Sequence, residues 1–425
     1  MLKRIPFIQY LVWAVILFVV PLPLIQALAM GLPAIYSSEA LAIQAGSIAY
    51  VWFLVSIYLS TRPKWLDRLI GLPSIYFIHG MLSIFGIVLA YLHKSGTSSA
   101  GLIKLTGDWS FDLFIGLMIY SLVFMAGWLS NRVKILGMLK HGLEKIFKHE
   151  LSVWLHRLNI VAVILVFIHV QLISYITSIS AFIWLFDAYS LFVLLAYSYT
   201  KIKNAYLLPT GKLIEKKEIA PNFFEYTIQM AHPQRLTIKP GDYVFINFPK
   251  KDHLKELHPF SVVNDVQQDG QIVLAIRGDG DFTKQTQELT IGSQVQIDGS
   301  YGKFDDIIQQ NHKDALVLIG GGSGIVPLLS IVQACDDRQI DLYYSTHRTA
   351  DLIYEEQLKA LAAQRRNLTV HIQEGRFNTD QILHYLDTNA VYLLSGPNSL
   401  GRNFKQALLR ANVPADKVYY EEFSW

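Results

Sequence analysis

Four histidines pose the first chemical question in this sequence. His79 and His93 lie in "FIHGMLSIFGIVLAYLHKSG", and His156 and His169 in "LHRLNIVAVILVFIHV". Both runs are apolar enough to sit in lipid, where an ionisable side chain is costly and marks function by default. His93 follows His79 by 14 positions and His169 follows His156 by 13. On helices these spacings are about 21 and about 20 Å along the axis, so the four residues form two pairs at matched depths. Two imidazoles facing each other across a gap supply both axial ligands of a haem iron. The ordinary reading of any single one is a core histidine bonded to a neighbouring helix. At 100° per residue, 14 steps return to within about 40° of the same face, whereas 13 steps leave about 140° between the two side chains. The second run must therefore bend, bulge, or feed its two histidines into a bundle from different sides. His141 and His149 fall in a basic stretch and are read as solvated.

The elements that must position these residues are six apolar stretches, at 7–30, 40–60, 72–93, 110–129, 152–174 and 180–200. Each is long enough to cross the roughly 30 Å hydrocarbon core as a helix. Pro21 and Pro23 kink the first stretch or mark its outer end. Lys3 and Arg4 precede it. Arg62, Lys64 and Arg68 separate the second from the third, Arg132, Lys134, Lys140, Lys145 and Lys148 the fourth from the fifth, and Lys201 and Lys203 follow the sixth. The opposite connections hold only Lys94 and Lys104, so the positive-inside rule places both termini in the cytosol of an integral cell-membrane protein. His79 and His156 then lie toward the cytosol, and His93 and His169 toward the outside. A cleavable signal peptide is not expected, because the first stretch is long and no small-residue cleavage site follows it.

Composition agrees with two unlike halves. The 425 residues are 52% hydrophobic, with a mean hydropathy of +0.30. The single cysteine, Cys335, excludes intrachain disulfides, cysteine-ligated iron–sulfur clusters and thiolate-rich zinc sites. A net charge of +3 with dispersed basic residues gives no nucleic-acid surface.

After Lys203 the hydropathy falls. "FFEYTIQMA", "DYVFINF" and "QIVLAIRG" alternate between turn residues as strands of an antiparallel barrel do. From about 313, apolar strands alternate with helical segments, an α/β nucleotide-binding pattern. The strand "ALVLIG" runs into "GGGSGIVPLLS", with Gly320, Gly321, Gly322 and Gly324 ahead of a proline-opened helix. That arrangement aims free amides at a dinucleotide pyrophosphate, although Ile325 stands where a G-x-G-x-x-G motif has its third glycine. Ser345, Arg348 and Arg376 suit an adenosine 2′-phosphate, and no acidic residue occupies the Ser345–Arg348 turn. NADPH is therefore favoured over NADH, with Asp351 weakening the case slightly.

These residues carry a resemblance. Six helices with histidines paired on the third and fifth are similar to the transmembrane domain of the ferric reductase and NADPH oxidase superfamily. Residues 205–425 resemble the flavin and pyridine-nucleotide domains of the ferredoxin–NADP reductase superfamily. The implied architecture is a six-helix transmembrane bundle over 1–203, an antiparallel FAD-binding β-barrel over 204–310 and an α/β NAD(P)H-binding domain over 311–425. The resemblance implies an inner b-type haem held by His79 and His156 and an outer one held by His93 and His169. In "HPFSVVN" it lays His258, Pro259, Phe260 and Ser261 along FAD, with Phe260 packed on the isoalloxazine and the catalytic Ser261 hydroxyl near N5. In "GDGDFTKQT" it brings Gly280, Asp281, Phe282 and Thr283 to the pyrophosphate. Ser395, Gly396 and Pro397 match an element near the nicotinamide in which Ser395 replaces the usual cysteine and takes its catalytic position. Phe423, or else Trp425, is the aromatic that gates the flavin face.

The implied activity is that of an NAD(P)H oxidase: electrons pass from NADPH through FAD and two haems to an external acceptor, oxygen giving superoxide or, alternatively, a ferric chelate. Animal NADPH oxidases carry an arginine on the second helix and a histidine one turn past the outer ligand. Residues 40–60 contain no arginine, and Thr97 stands four residues after His93, which weakens the case for dedicated superoxide production. A further alternative is a membrane-anchored flavin reductase without haem. Neither nucleic acid nor an obligatory protein partner is indicated.

Overall fold

The computed structural model describes residues 8–124 and 149–422. Lys3, Arg4, the basic residues from Arg132 to Lys148, His141, Phe423 and Trp425 lie outside the described residues. The chain forms two compact units, one of residues 8–66 and 72–202, the other of residues 67–71 and 203–422.

The first unit is helical because its sequence offers long apolar runs interrupted only where a helix can restart. The first segment winds from Ile8 to Ala14 and widens over Val15–Val19, where Val20 N–H bonds Val15 O at 2.9 Å. It restarts as Leu22–Gly31, with Pro23 in the first turn, where a missing N–H costs nothing. The prolines thus mark an internal restart. Helices follow at Ala40–Ser60, Leu72–Gly96 and Gly101–Phe124, and later at Ser180–Ile202. Among the described residues, five segments have the length and composition to cross a membrane: Ile8–Gly31, Ala34–Ser60, Leu72–Gly96, Ser152–Gln171 and Ser180–Leu207.

Two elements depart from the sequence expectation. The fourth helix begins at Gly101 rather than at 110. Its early turns hold Lys104 and Asp108, and Asp108 pairs with Lys104 at 2.7 Å and with Lys94 at 2.8 Å, so these polar turns are held by ion pairs. The fifth apolar stretch is two helices, His149–His156 and Asn159–Gln171. Between them Leu158 N–H bonds Leu155 O and Ile160 N–H bonds Arg157 O, both at 3.0 Å, a tightened turn of i to i+3 bonds. Asn159 Nδ2 donates to the freed His156 carbonyl at 2.8 Å. The run thus breaks between its two histidines, as their azimuthal mismatch on an ideal helix calls for.

The core of this unit gathers Leu24, Leu28, Tyr50, Phe53, Phe114 and Phe186. Phe53 stacks on Phe114 with ring centroids 4.1 Å apart, and Gly86 admits the Phe53 ring, which a Cβ there would meet at 2.7 Å.

The second unit carries two sheets. β1 (Thr210–Ala220), β2 (Phe223–Met230), β3 (Tyr243–Asn247), β4 (His258–Ser261), β5 (Gln271–Arg277) and β6 (Gln294–Tyr301) form an antiparallel sheet in the order β4-β3-β6-β1-β2-β5. A bridge between Val262 and Leu274 curls its two edges toward each other, as a barrel requires. β7 (Leu316–Gly321), β8 (Ile340–Thr346), β9 (Leu368–Glu374), β10 (Val391–Gly396) and β11 (Val418–Glu422) form a parallel sheet in the order β11-β10-β7-β8-β9. The order reverses between β7 and β10, the switch point at which open α/β sheets bind ligands. The sheets share a core in which Phe223 and Val263 pack with Leu316, Leu328 and Leu393, and Tyr354 donates to Glu225 at 2.6 Å.

Residues 67–71 are held in this unit by a buried ion pair. Arg68 grips Asp242 with both terminal nitrogens, at 2.8 and 2.7 Å, and donates also to Gly302 O at 2.7 Å and Ser300 Oγ at 2.8 Å. Asp67 accepts from Gly302 N–H, and Lys303 donates to Leu69 O.

Candidate functional site

The third helix and the split fifth segment bring the histidines into two facing pairs. The rings of His79 and His156 lie 5.9 Å apart centroid to centroid, and those of His93 and His169 lie 6.2 Å apart. Two imidazoles bound to opposite sides of one metal, with nitrogen bonds of about 2.0–2.1 Å, place their centroids roughly 6 Å apart. Each Nδ1 is already engaged: His79 to Ser56 O at 2.9 Å, His93 to Ala42 O at 3.0 Å, His169 to Ile103 O at 2.8 Å and His156 to Ser121 Oγ at 2.9 Å. A carbonyl only accepts, so in three of the four Nδ1 carries the proton and Nε2 keeps its lone pair for a metal. The donor set and its spacing fit a haem in each gap.

Two glycines make room for the outer pair. A Cβ on Gly46 would meet His93 Nδ1 at 2.7 Å, and one on Gly107 would meet His169 Cε1 at 3.1 Å. Sequence reading passed over both, although a glycine in an otherwise bulky apolar helix signals a close approach.

In the antiparallel sheet, β4 presents "HPFS" opposite β3, with Val244 facing Phe260 and Tyr243 facing Ser261. The two flavin motifs meet: the His258 ring stacks on Phe282 at 4.0 Å, and Phe260 lies 6.0 Å from Phe282. Phe260 and Ser261 are half-buried and Pro259 is exposed. Gly280 precedes the short helix Asp281–Thr286, and its N–H donates to Thr283 Oγ1 at 2.9 Å, so the Thr283 hydroxyl has a local partner.

At the parallel sheet's switch point two glycine-bearing loops touch. Ser395 is in register with Gly320, and a Cβ on Gly324 would fall 2.1 Å from Ser395 O. Gly321, Gly322 and Pro397 lie at the same strand ends, and Gly396 has φ +137°, a conformation that suits glycine. Ser395 is fully buried and its hydroxyl has no hydrogen-bond partner among the described residues. Ser345 ends β8 beside Gly321, and Arg376 is exposed. Arg348 is bound at both ends by Asp351, at 3.0 and 2.9 Å. Glu374, from the end of β9, bonds Thr349. A turn that is free of carboxylates in the sequence therefore has two acidic side chains against it in space. The buried thiol of Cys335 is pushed up to about 11, chiefly by burial, and is an inert core group.

Sequence reading also missed Glu421. It lies in register with Ser395 on the adjacent strand, is 3% exposed, and leaves Oε2 without a partner among the described residues. Burial first, and then Asp67 and Asp242, hold its carboxyl well above the usual carboxylate range against the opposing pull of Arg68. The folded chain therefore keeps a proton that the unfolded chain releases near 4.5. Its stabilising contribution is complete below that pH and is lost as pH rises toward the folded value, at up to about 1.4 kcal/mol per pH unit. The unfolding midpoint, followed by flavin fluorescence, should fall with rising pH in the wild type, and Glu421→Gln should flatten that fall.

Residues 222–324 match the family model of the FAD-binding domain, and residues 318–384 that of the oxidoreductase NAD-binding domain. NADH-cytochrome b5 reductase 1 of Pyricularia oryzae is 28% identical over 38% of this chain and 56% of its own. The ferredoxin–NAD(P)(+) reductase component of the naphthalene 1,2-dioxygenase/salicylate 5-hydroxylase systems of a Ralstonia species is 30% identical over 34% of this chain and 44% of its own. The chain spans about half the length of the curated relatives it matches. Among solved structures, the Amycolatopsis cytochrome P450 reductase GcoB is similar, with 22% identity, a TM-score of 0.45, and coverage of 51% of this chain and 69% of that one. The chain thus carries an FAD-binding domain followed by an oxidoreductase NAD-binding domain.

Proposed function

We propose that this protein carries electrons from cytosolic NADPH, through FAD and two b-type haems, across the cell membrane to an external acceptor, with oxygen, reduced to superoxide, as the favoured one. The observation that carries this reading is the two pairs of facing imidazoles, with ring centroids 5.9 and 6.2 Å apart and Nδ1 engaged in all four, which in His79, His93 and His169 leaves Nε2 for iron. When bound, FAD takes hydride from the nicotinamide and passes on single electrons, which the haem irons relay. His79 and His156 would hold the inner iron, and His93 and His169 the outer one. Phe260 offers the flavin a flat face and Ser261 a hydroxyl. The loops at Gly320–Gly324 and Ser395–Pro397 offer bare backbone to the nicotinamide dinucleotide, with Phe423 or Trp425 as gate. NADH remains the alternative donor, because Asp351 and Glu374 crowd the turn where a 2′-phosphate would sit.

A ferric chelate is the second acceptor reading. Thr97, at the position of the second outer histidine of animal oxidases, turns its hydroxyl inward to His93 O at 2.9 Å, so it offers no donor to an oxygen molecule.

The test is an anaerobic visible spectrum of purified, FAD-supplemented protein with haem per chain quantified, before and after NADPH. Two b-type haems reduced by NADPH support the whole path; haem-free protein leaves a membrane-anchored flavin reductase. Gly46→Ala supplies a finer test. Its Cβ forces the His93 ring aside, so haem per chain should fall toward one, whereas Gly116→Ala, with nothing within 4 Å of the new methyl, should keep both.

A further inference from the structure

On the antiparallel sheet, away from every residue assigned above, a groove of about 880 Å³ is lined by Lys212, Lys250, Lys251, Ile214 and Ile291. No acidic side chain lines it. The three lysines are exposed, and among the described residues none of them forms an ion pair, whereas the nearby Lys255 is paired with Asp252 at 2.7 Å. Ile214 is 43% and Ile291 59% exposed. Ile214 stands out because β1 slips register between Leu213 and Glu215, and Ile291 because it sits on the turn before β6. The face thus sets two exposed apolar side chains beside three ammonium groups that no carboxylate neutralises, a pattern complementary to an anionic group with an apolar tail.

Chain connectivity says what such a face meets. The last apolar helical segment runs to Leu207, and Thr210, three residues on, already lines the groove. Three extended residues reach at most about 11 Å. Tyr206 and Leu207 at the end of that segment are exposed, the side chains expected at headgroup level. If the segment crosses the membrane, as the proposed function holds, part of the groove wall lies within about a Debye length of the lipid surface.

We propose that this groove seats the headgroup of an anionic phospholipid of the cytosolic leaflet, with Lys212, Lys250 and Lys251 on its phosphate and Ile214 and Ile291 against the tops of the acyl chains. The inference rests on the membrane reading of the helices but not on haem.

The full chain carries the test. An environment-sensitive dye is attached at Ile291→Cys, Cys335 being buried, and the protein is reconstituted in phosphatidylcholine vesicles with or without an equal amount of phosphatidylglycerol. The expected result is a blue-shifted emission only with phosphatidylglycerol, lost in the Lys212→Gln/Lys250→Gln/Lys251→Gln variant and kept in Lys217→Gln. Each lysine removed should raise the phosphatidylglycerol content at half-shift roughly 5-fold. Equal emission in both vesicles, or a shift that survives the triple variant, overturns the proposal. A shift reproduced in neutral vesicles by free glycerol phosphate also overturns it, by showing a soluble-phosphate site. Haem quantified in the same samples separates the two readings, since haem-free protein with an intact shift fails the electron path and leaves the lipid site standing.

Discussion

Replacing His93 or His169 by leucine should lower haem content from two per chain to one, while NADPH continues to reduce the flavin. Reduction of any impermeant external acceptor should fall by more than about 100-fold, because loss of a ligand exceeds the 10–100-fold cost of losing a mere hydrogen-bond partner of one. The direction follows from geometry. Each outer imidazole is fixed by a carbonyl bond at Nδ1, Ala42 O for His93 and Ile103 O for His169, so neither ring is free to swing into a partner's place. The inner pair is held by Ser56 O and Ser121 Oγ, partners separate from those of the outer rings. Stopped-flow spectra would separate flavin bleaching from haem reduction, and retention of both haems in either variant would remove these residues from the ligand set.

The second large effect is on stability. Arg68→Met should destabilise the unit containing residues 203–422 by about 3–5 kcal/mol, because it strands the Asp242 carboxylate, whose side chain is 0% exposed. Arg68→Lys should recover only part of the loss, since an ammonium cannot reproduce two parallel bonds to Asp242 together with those to Gly302 O and Ser300 Oγ. Arg68→Met/Asp242→Asn should be markedly less damaged than Arg68→Met alone, since no charge is then buried without a partner. Chemical denaturation of the wild type, Arg68→Met, Asp242→Asn and the double variant, followed by flavin fluorescence, measures the coupling. Equal midpoints for the single and double variants would show that the pair is incidental.

What was legible in the sequence is what local pattern encodes. The helix Ala40–Ser60 matches its apolar run to the residue, and the strands of both sheets follow their alternation and turn glycines. The break after His156 was present as a contradiction, two histidines at matched depth with mismatched azimuth, which an ideal helix cannot satisfy. Contacts across long separations left no such trace. Nothing near Arg68 names Asp242 as its partner, nothing near Arg348 reveals that Glu374 closes over the same turn, and Glu421 reads as one of two surface acids until strand pairing sets it against Ser395. The fourth helix begins nine residues before its apolar stretch because the polar turns ahead of 110 are held by Asp108, which pairs with both Lys94 and Lys104, a contact that hydropathy alone does not encode.

The tightened turn between His156 and Asn159 bears on how the two proposed iron sites would diverge. Two ligands on one rigid rod share every twist of that rod, so a substitution that rolls the helix to suit one metal disturbs the other. Here the helices His149–His156 and Asn159–Gln171 meet at a turn of i to i+3 bonds. On the proposed assignment each imidazole is carried by its own helix, so repacking around one helix would alter one site more than the other, without an insertion or deletion between the two histidines.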